Sequence, residues 1–154
     1  MSNSPPESAA ALKTRALRLL ARREHSRDEL ARKLSPHADS RETLESVLDF
    51  LISKKLLSNE RFAEVRAHWL ARKYGAARIR QDLKARGVDH ELIARVSGEG
   101  ELEKARAILA RKYRVPAATR EERAKRARFL QGRGFSYDTI RMLGLSGSTN
   151  FSEE

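Results

Sequence analysis

The sequence has no cysteine, which removes disulfides, thiolate metal sites and cysteine nucleophiles. Aromatic residues are only 6% of the chain while charged residues are 34%, a balance that argues against one compact apolar core. With eight glycines and four prolines there are few turn signals, and strand formers are scarce. No apolar run approaches the roughly 20 residues needed to span a bilayer. Residues 1–9 lack the apolar stretch of a signal peptide, so a cytoplasmic protein is expected. The four histidines are His25, His37, His68 and His90. No two are spaced to share a helix face, and no carboxylate joins them in a metal pattern. There is no Gly-rich phosphate loop, and the acids are dispersed among bases, leaving no carboxylate pair. The chain is therefore expected to be no enzyme and to need no metal or cofactor.

What remains is Ala, Leu, Arg, Lys and Glu, the residues that lose least on entering a helix; the expected class is all-α. Lys and Arg number 32 against 21 Asp and Glu, a net charge of +11, with a pI near 10.5. Such a balance speaks of partners and not of fold. It fits nucleic acid or an acidic protein surface, the alternative being an Arg-rich face that is simply solvated.

Between polar ends (1–9 and 146–154, expected to be disordered) the pattern is helical. Leu12, Leu17, Leu19 and Leu20 begin a first helix. Ser26 and Glu29 form a capping box ahead of Leu30 and Leu34, and Ser35-Pro36 ends that helix. Asp39 and Glu42 suggest a cap for a third helix bearing Leu44, Val47, Leu48, Leu51 and Ile52 on one stripe. Ser58 and Asn59 cap the next, whose apolar face reads as Phe62, Val65, Trp69 and Leu70. Tyr74-Gly75 looks like its C-terminal stop. Ile79 and Leu83 mark a short helix ending at Gly87, and Asp89 opens another. Near Gly100 a third cycle starts, with Leu102, Ala105, Ile108 and Leu109. Thr119 and Glu122 make a second capping box, Gly132 and Gly134 close that helix, and Ser136 caps a last one.

These cycles repeat. Leu20-Ala21-Arg22-Arg23, Leu70-Ala71-Arg72-Lys73 and Leu109-Ala110-Arg111-Lys112 each end the first helix of a cycle. At a shift of 47, Leu83, Arg86, Gly87, Asp89 and Ile93 meet Leu130, Arg133, Gly134, Ser136 and Ile140 without a gap. The expected organisation is three tandem three-helix repeats over residues 10–58, 59–98 and 99–145, stacked as an elongated, curved array. Basic residues exceed acidic ones by 4 over residues 10–58, by 5 over 61–98 and by 6 over 99–145.

On these residues the chain resembles a known family. The three repeats, their Leu-Ala-Arg-Arg/Lys ends, Arg61-Phe62-Ala63, Tyr74-Gly75 before Arg78-Ile79, and Arg128-Phe129-Leu130 through Arg133-Gly134-Phe135 resemble RecX over about residues 11–145. RecX proteins are bacterial regulators of the RecA recombinase. The resemblance implies a protein that lies in the groove of the RecA–DNA filament, blocks strand exchange, ATP hydrolysis and coprotease activity, and limits filament growth. At Ser58-Asn59-Glu60 the family more often has an acidic pair; Ser and Asn also cap well, so the departure touches capping alone.

The expected contact residues are Arg72, Lys73, Arg78, Arg80, Lys84 and Arg86 in the middle repeat, and Arg111, Lys112, Lys125, Arg126, Arg128 and Arg133 in the third. Each is either a contact to RecA carboxylates or DNA phosphates or part of a solvated helix face. Trp69, Tyr74, Tyr113 and Phe135 could stack on bases, but their helical register points the other way: Trp69 shares a face with Phe62 and Val65 and is expected in the core, while for Tyr74 and Tyr113, at helix ends beside Arg and Lys, both readings stay open. The competing reading is a nonspecific binder of single- or double-stranded DNA, acting through phosphates; no recognition helix suited to base readout is evident. No membrane partner is expected, and without a continuous coiled-coil seam the expected state is a monomer.

Overall fold

Helix boundaries follow the chain's own capping chemistry. A computed structural model describes residues 5–146. Nine α-helices and no strand are found among the described residues: α1 (Ala9–Arg22), α2 (Arg27–Leu34), α3 (Arg41–Ser53), α4 (Asn59–Leu70), α5 (Ala76–Ala85), α6 (His90–Ala94), α7 (Glu101–Lys112), α8 (Arg120–Gly132) and α9 (Tyr137–Met142). Ser26 and Thr119 accept from the N–H groups of Glu29 and Glu122, whose carboxylates return to the cap N–H, giving both expected capping boxes. Ser136 caps α9. Pro36 sits in a single 3-10 turn, Ser35–His37, directly after α2.

Internal contacts gather into two units. One is the chain up to Arg66 together with Leu83–Ile93; the other is Ala67–Asp82 together with the chain from Ala94 onward. The middle repeat is thus divided between them. In the first unit, α1 gives Leu12 and Ala16, α2 gives Leu30 and Leu34, and α3 gives Leu44, Val47, Leu48 and Leu51; Leu57 completes the cluster. Each leucine so buried contributes about 1.5–3 kcal/mol. The second unit's cluster is Ala105, Leu130, Phe135, Ile140 and Leu145, with Ile108, Leu109, Ala127, Phe129 and Leu143 against it.

Four readings of the sequence are altered. Ser40, and not Asp39, caps α3, accepting from Thr43 N–H, because the serine stands immediately before the first helical residue. Val65 and Trp69 are 58% and 55% exposed while Phe62 and Leu70 are buried; α4 carries two apolar faces, of which the core takes one. Gly75 is no left-handed helix stop: α4 ends at Leu70, and Gly75 precedes α5 without a positive φ. Asn59 does not cap its own helix. Its side-chain oxygen accepts from Arg27 N–H at the start of α2, while Ser58 caps α4 through Arg61 N–H. At the N-terminal end, Glu7 N–H donates to His37 O at 2.8 Å and its carboxylate takes the Arg15 guanidinium, and α1 starts at Ala9. Residues 1–4 and 147–154, parts of the ends expected to be disordered, lie outside the described residues.

Candidate polyanion-binding surface

The Arg-Gly turns that repeat at a shift of 47 are joints between successive repeats. At the C-terminus of α5, Arg86 O accepts from Ser26 Oγ at 2.6 Å, and the Arg86 guanidinium pairs with Glu29 at 2.9 Å. At the C-terminus of α8, Arg133 O accepts from Gly75 N–H at 2.7 Å and Gly134 O from Ala77 N–H at 3.3 Å, while Arg78 donates to Gly132 O at 3.1 Å. In both joints carbonyls that end one helix meet donors at the start of another: a serine hydroxyl in the first, and in the second backbone N–H groups, so that there each end satisfies the other's orphan groups. Gly87 and Gly134 both have positive φ. A Cβ on Gly75 would lie 2.4 Å from Gly134 O, and one on Gly134 2.4 Å from Arg78 Cβ, so the second joint admits only backbone.

Two acids hold these joints, the half-buried Glu29 and the buried Glu101. Glu29 receives Arg23 at 3.0 Å as well as Arg86 and the Ser26 N–H. Burial pushes its carboxyl up, but those hydrogen bonds and the two arginine charges outweigh it, leaving the pKa below the ordinary value. Glu101, 8% exposed, accepts from Ala76 N–H at 2.9 Å and Thr139 Oγ1 at 3.1 Å, tying the start of α5 to that of α9. Glu29 was legible as half of a capping box; nothing in its spacing announces what Glu101 holds. His25, also buried, places Nδ1 3.0 Å from Arg23 O and Nε2 2.9 Å from Lys33 Nζ. Burial pushes its pKa down, so the ring donates at Nδ1 and accepts from the lysine at Nε2. Among the described residues no cluster of His, Asp or Glu is placed to hold a metal.

The twelve expected contact residues divide in two. Six make contacts to other parts of the fold, although Arg78, Arg80 and Lys112 among them are themselves exposed. Arg86 is in the first joint; Arg80 donates through Nε and a terminal nitrogen to Val96 O at 3.0 and 2.7 Å. The other four alternate with aromatic rings in the second unit. Arg126 lies over Tyr113 at 4.2 Å, and Lys112 over Phe129 at 4.0 Å. Arg133 lies 5.1 Å from Phe129 and 5.3 Å from Tyr74, and Arg78 is 5.1 Å from Tyr74. Tyr113 meets Phe129 edge-on at 6.5 Å. Each such cation–ring contact contributes about 0.5–1 kcal/mol at an exposed site and fixes the guanidinium plane, leaving its edge N–H groups to reach carboxylate or phosphate. Tyr74 and Tyr113 are thus faced by cations, and Phe135 is buried. The remaining six, Arg72, Lys73, Lys84, Arg111, Lys125 and Arg128, are exposed. Lys125 and Arg128, three apart on α8, share a face.

Residues 13–51, 58–96 and 99–143 match in turn the first, second and third three-helix domains of RecX. The chain belongs to the RecX family. It is 45% identical over 139 residues to the regulatory protein RecX of Herbaspirillum seropedicae, covering 88% of this chain and 90% of that one. It is 40% identical over 152 residues to that of Ralstonia pickettii strain 12J, covering 97% and 95%. The crystal structure of RecX from Lactobacillus salivarius superposes with a TM-score of 0.74 at 21% identity, over 88% of this chain and 93% of that one, and shares the fold. RecX-family membership makes the three-helix repeats units of one regulatory protein. Among the described residues no helix is long and apolar enough to cross a membrane.

Proposed function

We propose that this RecX-family chain is a negative modulator of the RecA recombinase, acting in the cytoplasm as a monomer and without catalytic chemistry of its own. On this reading it occupies the groove of the RecA–DNA filament and there inhibits ATP hydrolysis, strand exchange and coprotease activity. The observation that carries it is the division of the cations. Arg72, Lys73, Lys84, Arg111, Lys125 and Arg128 are exposed and serve no joint, and four further cations are held on aromatic faces. A repeated display of oriented donors suits carboxylates and phosphates presented at intervals. Any effect on ATP turnover is then exerted through the partner.

The alignment of Lys125 and Arg128 on one face of α8 also favours a second reading, nonspecific DNA binding through phosphates. RecA's DNA-dependent ATPase separates the two. With DNA in excess, the regulator reading predicts inhibition that tracks the ratio of this protein to RecA. Inhibition that tracks the DNA concentration instead supports masking of the template and sinks the regulator reading.

A further inference from the structure

A groove of about 340 Å³ runs between α8 and α9, entirely within the second unit. One wall is a stripe of α8. Ala124, Ala127, Arg128 and Gln131 line it, and their spacing of i, i+3, i+4 and i+7 puts them on one face. The two alanines keep that wall low. The floor is apolar, made by Phe135, Ile140 and Leu145 of the core cluster. Across it stands Tyr137, which is 65% exposed. Arg128 is the one charged residue that lines the groove. Its guanidinium makes no hydrogen bond or ion pair with another described residue. Lys125, three residues earlier on α8, is exposed beside it. An apolar trough with cations on one rim and no carboxylate along it complements a bulky apolar side chain that has an acid beside it.

We infer that this groove is a docking site for RecA protein, which seats one large aliphatic or aromatic side chain over Phe135, Ile140 and Leu145 while Arg128 pairs with a neighbouring carboxylate. The inference rests on the RecA reading and assigns the groove to protein and not to DNA. A nucleobase suits this floor poorly. Its polar edge would lie against three apolar side chains, with Gln131 the one side-chain amide along the groove, and burying such groups without partners is costly. An aliphatic or phenyl group leaves nothing unpaired there. The volume lies at the small end of ligand pockets, which run from about 300 to 1,000 Å³, and fits a side chain or two better than a cofactor.

The test uses the full chain with Ala124→Phe, which fills the groove, and Tyr137→Ala, which removes its wall. Neither change touches the core cluster, and thermal midpoints should stay near that of the parent protein. The concentration giving half-inhibition of RecA's ATPase should rise by about tenfold or more for Ala124→Phe, the loss expected at the centre of a docking site, and by less for Tyr137→Ala. Affinity of both variants for a labelled oligothymidylate should be unchanged. A third protein carries photoreactive benzoylphenylalanine in place of Ala124, and light should join it to RecA in filaments preassembled on single-stranded DNA. If Ala124→Phe lowers the thermal midpoint, Tyr137→Ala and the crosslink decide. Undiminished inhibition by a folded Ala124→Phe overturns the inference while leaving the regulator reading intact. A parallel loss of oligothymidylate affinity, or crosslinks to the DNA alone, overturns it in favour of a nucleic-acid site. Crosslinks only to a second copy, or only to residues 147–154 of the same chain, overturn it in favour of those occupants. A parent protein that leaves RecA's ATPase untouched removes the regulator reading itself, and this assignment with it.

Discussion

Gly75 and Gly134 occupy one small volume, and the second inter-repeat joint depends on both. Alanine at Gly75 would place Cβ 2.4 Å from Gly134 O, and alanine at Gly134 would clash with Arg78 at a φ of 88°. Either change should cost about 2 kcal/mol or more through overpacking and backbone strain. Alanine at Gly132, whose Cβ would meet nothing within 4 Å, should be neutral or slightly stabilising; urea midpoints of the three variants check the contrast. The sequence made Gly75 look like a helix stop because glycine is common there, and its true constraint lies in residues far along the chain. His25 offers a second test at this scale. Its folded pKa lies below the ordinary 6.5 because burial disfavours the charged ring. The unfolded state therefore binds the proton first, and stability is lost as pH falls below about 6.5 toward the folded pKa. Thermal midpoints should drop across that window in the parent protein, and the drop should shrink in His25→Leu.

At the scale of helices, the two capping boxes look alike in sequence but differ in what they hold. Thr119 is exposed and serves only α8. Ser26 is fully buried, and its hydroxyl both caps α2 and donates to Arg86 O. Thr119→Ala should cost about 1 kcal/mol; Ser26→Ala should cost about 2 kcal/mol or more, since it also removes the hydrogen bond to Arg86 O. Equal losses in chemical denaturation would mean that the Ser26–Arg86 bond contributes nothing. The capping boxes, the stripe of α2 and that of α3 apart from Ile52, which is 43% exposed, were legible because they are set by neighbours within four residues. The two faces of α4 were not: Phe62, Val65 and Trp69 share a helical period, and only the burial of Ala63 and Leu70 on the opposite side shows which of them the core takes. The candidate surface was legible in kind but not in detail. Arginines at repeating positions announced themselves, whereas the turning inward of Arg86 and the capture of Arg133 by Tyr74 and Phe129 depend on contacts the spacing does not record.

For the molecule as a whole, the proposed function divides charge between holding the repeats together and facing a partner, and the two roles predict different losses. Reversal of Lys125 and Arg128 to glutamate should leave the thermal midpoint nearly unchanged and raise the half-inhibitory concentration against RecA by at least tenfold. Arg133→Glu should lower the midpoint, because it removes a cation from two aromatic faces of the second unit. Inhibition surviving the double reversal would mean that this face of α8 is not in contact. The most direct test of the central claim is binding of the labelled full chain to RecA filaments preassembled on single-stranded DNA with a non-hydrolysable ATP analogue, compared with the same DNA bare, at physiological salt. The account predicts binding to the filament at least tenfold tighter, saturating at a fixed ratio to RecA. Equal affinity for filament and bare DNA would contradict it.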